Sequence, residues 1–291
     1  MQSMSAQEVR DMMAQAPAPE LDIEFAKVEE RTIPVDQDEI KIRIYTPEGE
    51  GPFPIIVYYH GGGWVLGDLE TADGSCHILA NKTGHVVVSV DYRLAPEYKF
   101  PVPFNDAYDA LKWVAENADS INGDASKISV SGDSAGGNLA AAVSLRARDE
   151  NGPKIHAQLL VYPVTDVSYD TDSYEQFKDG FGLDKDLMKW FGDYYINSEE
   201  DAKNPYVAPL VADDLSNLPP AIVITAEFDV LRDEGIAYAE RLKEAGVKVE
   251  QYTEEGLVHA FFTTVPVFKD RIFGTVEKID TFLKSLTPVR K

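Results

Sequence analysis

One serine in this chain is surrounded by residues with almost no side chain. Ser134 lies in "SVSGDSAGGNLAAA", Ser129 to Ala142, with glycines at 132, 136 and 137. Ile128 to Ser131 reads as a short buried strand, and Ala135 to Arg148 as a helix with Leu139, Val143 and Ala147 at helical spacing. Only a tight turn is left between them. Such a turn forces its apex residue into a sparsely populated backbone conformation. Side chains two positions either side of the apex would collide, and Gly132 and Gly136 stand there. G-x-S-x-G between a strand and a helix is the pattern of a nucleophile presented on a sharp elbow. A glycine-rich turn with a solvent-facing serine would give the same letters, so the rest of the chain must supply the partners.

A serine hydroxyl is a weak nucleophile at neutral pH and needs a base, which in turn needs an orienting acid. The chain has five histidines. His60 begins a glycine run, His77 falls in a helix-like stretch, His85 starts a strand, and His156 enters a strand at the end opposite the elbow. His259 follows the strand Val247 to Thr253 in "EEGLVHAFF", at a carboxyl end, and is the candidate base. The acid is expected between serine and histidine. "AIVITAEFDVLRDEG" ends a strand near Thr225, which places Asp229 in the following loop. Glu227 and Asp233 are its rivals; Glu227 suits a loop brace, and Asp233 suits the first turn of the next helix, where an acid favours the dipole. Acyl transfer also builds a negative oxygen that backbone N–H groups must face. "HGGGW", His60 to Trp64, directly follows the strand "PIIVYY", and its Gly61, Gly62 and Gly63 let a substrate approach the backbone closely. The N–H of Ala135, at the start of the helix after the serine, is a further candidate donor.

These residues need a frame. Pro54 to Tyr59 and His85 to Val90 are continuous apolar runs, as expected of strands buried on both faces. Glu39 to Tyr45 alternates, and a further strand is expected near Ile23 to Val28. Pro103 to Ala118 keeps helical period; strands follow at Gln158 to Tyr162, Ala221 to Thr225 and Val247 to Thr253, with a helix over about Asp233 to Ala245 and a last amphipathic helix carrying Phe268, Ile272, Val276, Ile279 and Leu283. Edge strands followed by strands alternating with helices predict a mostly parallel sheet covered on both faces, with ligands at the strands' carboxyl ends. From Val167 to Pro220 the rhythm breaks: the stretch is aromatic-rich, includes "DKDLMKWFGDYYI", and is too long for a simple crossover. It is expected to be a helical cap. Residues 1 to about 22 are expected to be a helix with a proline-broken connector at "APAPE".

The net charge of −23 over 291 residues argues against nucleic acid or an anionic membrane as partner, because phosphate binding needs clustered cations. No segment approaches the ~20 apolar residues of a membrane span. The N-terminal stretch lacks a signal-like pattern, and Cys76 is the sole cysteine, so a cytoplasmic location is expected.

Taken together, "HGGGW" (60–64), "DYRLAPE" (91–97), "GDSAGG" (132–137), "LPPAIVITAEFDVLRDEG" (218–235) and "HAF" (259–261) resemble the hormone-sensitive-lipase-like carboxylesterases of the α/β-hydrolase superfamily, from about residue 20 to the end. The resemblance implies a mostly parallel eight-stranded sheet flanked by helices, in one domain, 1–291. It implies a cap from about 1–22 plus an insertion at about 167–217. It implies a triad of Ser134, Asp229 and His259, and an oxyanion hole from the glycine run, Gly62 and Gly63 foremost, with Ala135. It implies no metal or organic cofactor, a small ester of short to medium acyl chain as substrate, and it allows a homodimer. Val230 and Ala260 depart from the family's usual Pro and Gly beside the acid and the base. Trp64, Leu66, Phe181 and Phe262 are candidate pocket residues, with ordinary core packing as the other account of each. An amidase or peptidase could use the same machinery, and a non-enzymatic binding protein could use the same fold.

Overall fold

The computed structural model describes residues 3–286. Its elements are α1 (Ala6–Ala14), β1 (Lys27–Val35), β2 (Asp38–Thr46), β3 (Phe53–Tyr59), α2 (Asp73–Thr83), β4 (Val86–Val90), α3 (Val102–Asn117), β5 (Gly123–Asp133), α4 (Ala135–Asp149) and β6 (Gln158–Val161). They continue with α5 (Asp172–Gln176), α6 (Lys185–Tyr195), β7 (Ala221–Phe228), α7 (Arg232–Glu244), β8 (Val249–Val258) and α8 (Val265–Leu286). The eight strands form one sheet in the order β1-β2-β4-β3-β5-β6-β7-β8. β1, β2 and β4 pair antiparallel; all pairs from β4 to β8 are parallel.

The apolar runs are continuous because successive side chains enter two different cores. In β3, Ile55, Val57 and Tyr59 face the core shared with α3 and α4, while Ile56 and Tyr58 face the one shared with α2 and α8. β7 divides in the same way, Val223 to one side and Ile222 and Ile224 to the other. β3 and β5 are neighbours although β4 lies between them in sequence, so the chain winds away from this pair in both directions. A crevice opens outside the carboxyl ends at such a reversal. The glycine run leaves β3 there, and Ser134 leaves β5.

Two pieces outside the sheet reach the loop after β3. α1 is closed by a capping box between Ser5 and Glu8, and its Arg10 donates from Nε to the carbonyl of Val65 at 2.9 Å. α6, capped by the Asp184 carboxylate accepting from the Leu187 N–H, buries Met188, Phe191, Gly192 and Tyr195 along one face. Its Tyr195 ring stacks on Trp64 with centroids 4.3 Å apart.

Four expectations about elements need correcting, the first being the N-terminal helix expected over 1 to about 22, which among the described residues is Ala6–Ala14. The strand expected at Ile23 to Val28 lies at Lys27–Val35. β5 begins at Gly123, five residues before the apolar run, because its first half is a largely exposed extension. β7 and β8 run on to Phe228 and Val258 rather than ending near Thr225 and Thr253.

Candidate active site

Ser134 sits between β5 and α4 with φ 56° and ψ −119°. That region costs a non-glycine residue about 1–3 kcal/mol and persists only where the surroundings over-determine it. Here they do. The Ser134 N–H donates to Val161 O at 2.9 Å, and its carbonyl accepts from Asn138 N at 3.0 Å and Val164 N at 3.2 Å. The flanking glycines are required by the approach of β3. A Cβ on Gly136 would run into the Tyr59 carbonyl, and one on Gly132 into both Gly136 and Tyr59 O. The elbow can therefore sit directly against the strand that carries the glycine loop.

The other two residues arrive on neighbouring strands. Phe228 and Val258 are the last paired residues of β7 and β8, and the residues that follow these strand ends are Asp229 and His259. His259 Nε2 lies 2.9 Å from Ser134 Oγ, and His259 Nδ1 lies 2.7 Å from Asp229 Oδ2. Asp229 Oδ1 accepts from the Leu231 N–H at 3.0 Å, so both carboxylate oxygens are engaged. The Asp229 side chain is wholly buried, whereas 11% of the His259 side chain meets solvent. A relay thus runs from an enclosed carboxylate to a hydroxyl at the edge of the crevice. Ala260, next to the candidate base, adopts φ 66°, the left-handed conformation in which glycine is free of strain.

The rivals have other tasks. Glu227 accepts from the Gly256 N–H at 2.7 Å and braces the β8 turn. Asp233 lies in the first turn of α7 and accepts from the Ser173 N–H at 2.8 Å. Burial pushes the His60 imidazole down to about 4; its Nδ1 donates to Gly61 O at 2.7 Å, and its ring stacks on Tyr92. His77 takes the Ala26 N–H, and His85 and His156 lie at the amino ends of β4 and β6.

The glycine loop requires one correction. The Gly61 N–H donates to Asp133 Oδ1 at 3.1 Å and is not available to an anion. Among the described residues, the N–H groups of Gly62, Gly63 and Ala135 have no protein acceptor. Gly62 and Gly63 have φ +114° and +61°, and a Cβ on Gly63 would enter the Phe191 ring. Asp133 escaped the sequence reading. It is the variable position of G-x-S-x-G, and a buried carboxylate there accepts from Tyr58 Oη at 2.7 Å as well as from Gly61. An acid between a glycine and a serine at a strand end was the signal available.

The pocket candidates also need correcting. Trp64 and Phe262 are completely enclosed, Trp64 against Tyr195 and Phe262 in the core under α2 and α8. The Leu66 side chain is buried in the other core. All three pack as core residues; being aromatic or apolar and near the motifs does not separate a pocket residue from a core one. Phe181 is partly exposed and stacks on Phe228 at 5.3 Å, one residue from Asp229. Among the described residues, no cluster of three or more His, Cys, Asp or Glu is placed to hold a metal ion, and no helix is long and apolar enough to cross a membrane.

Residues 56–263 match a family model described as the alpha/beta hydrolase fold. The chain is 46% identical over 230 residues to an arylesterase of Saccharolobus solfataricus, covering 79% of this chain and 75% of that one. It is 40% identical over 279 residues to the carboxylic ester hydrolase LipN of Mycobacterium tuberculosis, covering 94% and 73%. Among solved structures, an esterase of Pyrobaculum calidifontis superposes with a TM-score of 0.89 at 44% identity, covering 98% of this chain and 94% of that one. A thermostable esterase of Pseudomonas putida superposes with a TM-score of 0.91 at 38% identity, covering 97% and 91%. By sequence over most of its length and by the winding of its sheet, the chain belongs to the α/β-hydrolase fold family, among its hormone-sensitive-lipase-like members.

Proposed function

We propose that the protein is a serine carboxylesterase acting on small esters of short to medium acyl chain. The relay of 2.7 and 2.9 Å from Asp229 through His259 to Ser134, beside amide N–H groups with no protein acceptor, is the observation that carries this reading. The named activities of the relatives support it.

Ser134 Oγ attacks the ester carbonyl while His259 Nε2 takes its proton. The carbonyl oxygen becomes an anion, held by the N–H groups of Gly62, Gly63 and Ala135 at the positive end of α4. Collapse of the tetrahedral adduct breaks the bond to the alcohol oxygen, which leaves with the proton from His259. Water then attacks the acyl-enzyme, giving its proton to His259, and the carboxylic acid departs as Ser134 regains its own. Asp229 holds the imidazole with its proton on Nδ1 and stabilises the imidazolium. Each donor to the oxyanion is worth ~3 kcal/mol in the transition state.

α1 and the segment 167–217 are the cap over this site, and a cytoplasmic location belongs to the same reading. The Phe191 ring against Gly63 walls the crevice beside the oxyanion donors, which suits short acyl groups better than long ones. Ser134→Ala tests the whole scheme. It is expected to abolish p-nitrophenyl acetate and butyrate hydrolysis and labelling by a fluorophosphonate while the protein stays folded. Turnover surviving in that variant overturns the assignment, and a preference for palmitate over butyrate in the wild type overturns the substrate class.

A further inference from the structure

The five-residue helix α5 lies in the segment between β6 and β7, yet its contacts go to the loop of the candidate acid. Ser173 has no exposed surface. Its Oγ donates to the carbonyl of Val230 at 2.7 Å, and its N–H donates to Asp233 Oδ2 at 2.8 Å. The Asp233 N–H returns a bond to Ser173 Oγ at 3.3 Å. Val230 directly follows Asp229, and Asp233 lies in the first turn of α7. Three bonds from one small side chain and its amide thus span residues 230–233.

We infer that Ser173 is a positioning residue for the acid: by gripping Val230 and Asp233, α5 fixes the loop that presents Asp229 to His259. The inference rests on the reading of Asp229 as the acid of a serine hydrolase. Neighbouring contacts act in the same sense. Arg232 donates to Gln176 Oε1 at 2.9 Å and lies over the Phe177 ring at 4.9 Å. Glu234 Oε1 accepts from the Thr165 N–H at 2.8 Å, closing the base of the segment onto α7. The loop therefore has its sheet on one side and α5 on the other. Among the described residues the Asp229 carboxylate receives the Leu231 N–H and His259, and its carbonyl receives the Arg232 N–H at 3.1 Å, so its aim depends on where residues 230–232 are held. The α5 end of this segment is bolted to the catalytic frame, and its movement would disturb the relay.

His259 serves both acylation and deacylation, so a misaimed acid slows the two steps together. That lowers kcat and leaves KM nearly unchanged. Ser173→Ala removes the hydroxyl, and Ser173→Cys keeps its approximate volume while replacing it with a poor donor. Both are expected to lose about tenfold in kcat on p-nitrophenyl butyrate with KM within about twofold of wild type. Both are also expected to broaden the downfield proton resonance of the His259–Asp229 hydrogen bond. A Ser173→Cys enzyme with wild-type kcat and a sharp resonance overturns the inference, because the side chain would then only fill space. So does a Ser173→Ala enzyme that melts earlier but turns over at the wild-type rate. Should Ser173→Ala fail to fold, Ser173→Cys decides alone. Ser134→Ala is run beside them: its inactivity with a normal Ser173→Cys enzyme removes only the role of Ser173, whereas its activity removes the reading of the site.

Discussion

Asp133 holds the Gly61 N–H at 3.1 Å, so the residue before the candidate nucleophile grips the first glycine of the loop that would receive the oxyanion. The same Oδ1 takes the Tyr58 hydroxyl at 2.7 Å from β3. One buried carboxylate therefore ties β5 to β3 at their carboxyl ends. Burial pushes its carboxyl above the usual range, while the Tyr58 and Gly61 bonds pull the other way.

Replacing Asp133 by alanine leaves two buried donors without an acceptor, each costing about 1–3 kcal/mol. Asparagine keeps a carbonyl oxygen for both. Urea unfolding is expected to show a loss of about 3 kcal/mol for Asp133→Ala and a clearly smaller loss for Asp133→Asn. The alanine variant is also expected to lose about tenfold in kcat, because Gly62 and Gly63 lose the anchor of their loop. Equal stability of the two variants would contradict this account.

Asp91 carries a pH signature. Burial, with Asp68 adding to it, raises its carboxyl to about 6. Its folded value lies above its unfolded one, so the native state holds the proton longer. Stability from this group is complete below about pH 4 and is lost as pH rises through about 6. Asp91→Asn cannot ionise and escapes that loss. It is expected to exceed wild type by about 1–2 kcal/mol at pH 8, a figure reduced for partial solvation, and to match it at pH 4. Urea midpoints at the two pH values measure the difference. A gain at pH 4 that disappears at pH 8 would give the opposite sign.

Two glycine-to-alanine changes should part company. A methyl on Gly136 has no room beside the Tyr59 carbonyl and would lie 2.7 Å from His60 O, so α4 or β3 must move. A shift of that kind at the elbow is expected to cost about 100-fold in kcat/KM. Gly274 lies within α8 with open space where its Cβ would be. Alanine there is expected to stabilise by about 0.5–1 kcal/mol with unchanged activity, read by urea unfolding and ester turnover.

How far the sequence could be read followed burial. β3, β4 and β7 are apolar at successive positions because each face meets its own core, and their centres were legible for that reason. β1 was displaced because "KVEERTIPV" is an edge strand, mostly exposed, held by its pairing with β2 and not by a buried face. Leu21, Ile23 and Ala26, which precede β1, pack instead against the core shared with α2 and α8. The ends of β7 and β8 were missed for a related reason. They pass through polar residues, "AEF" and "EEGLV", and a register shift between Ala226 and Phe228 hides the last pair. Chain order and strand ends nevertheless pointed to Ser134, Asp229 and His259, which the fold brings within 2.9 and 2.7 Å of one another. The competition of Asp133 for Gly61 could not be read, because it depends on two strands that touch 72 residues apart.

The candidate acid's two engaged oxygens make Asp229→Asn an informative change. Oδ1 must remain an acceptor for the Leu231 N–H, which turns the amide nitrogen toward His259. That nitrogen is a donor, so His259 Nδ1 must accept, and the ring proton moves to Nε2. Nε2 then faces Ser134 with a proton already in place and cannot take another from the hydroxyl. The variant is expected to fold normally and to lose ~10³–10⁴ in kcat on p-nitrophenyl esters, with much less effect on KM. Hydroxylamine or another strong nucleophile added to the assay should not restore the rate, because it can relieve deacylation but not the acylation that the wrong tautomer also impairs. A loss below about tenfold would mean that His259 takes its orientation from something other than this carboxylate.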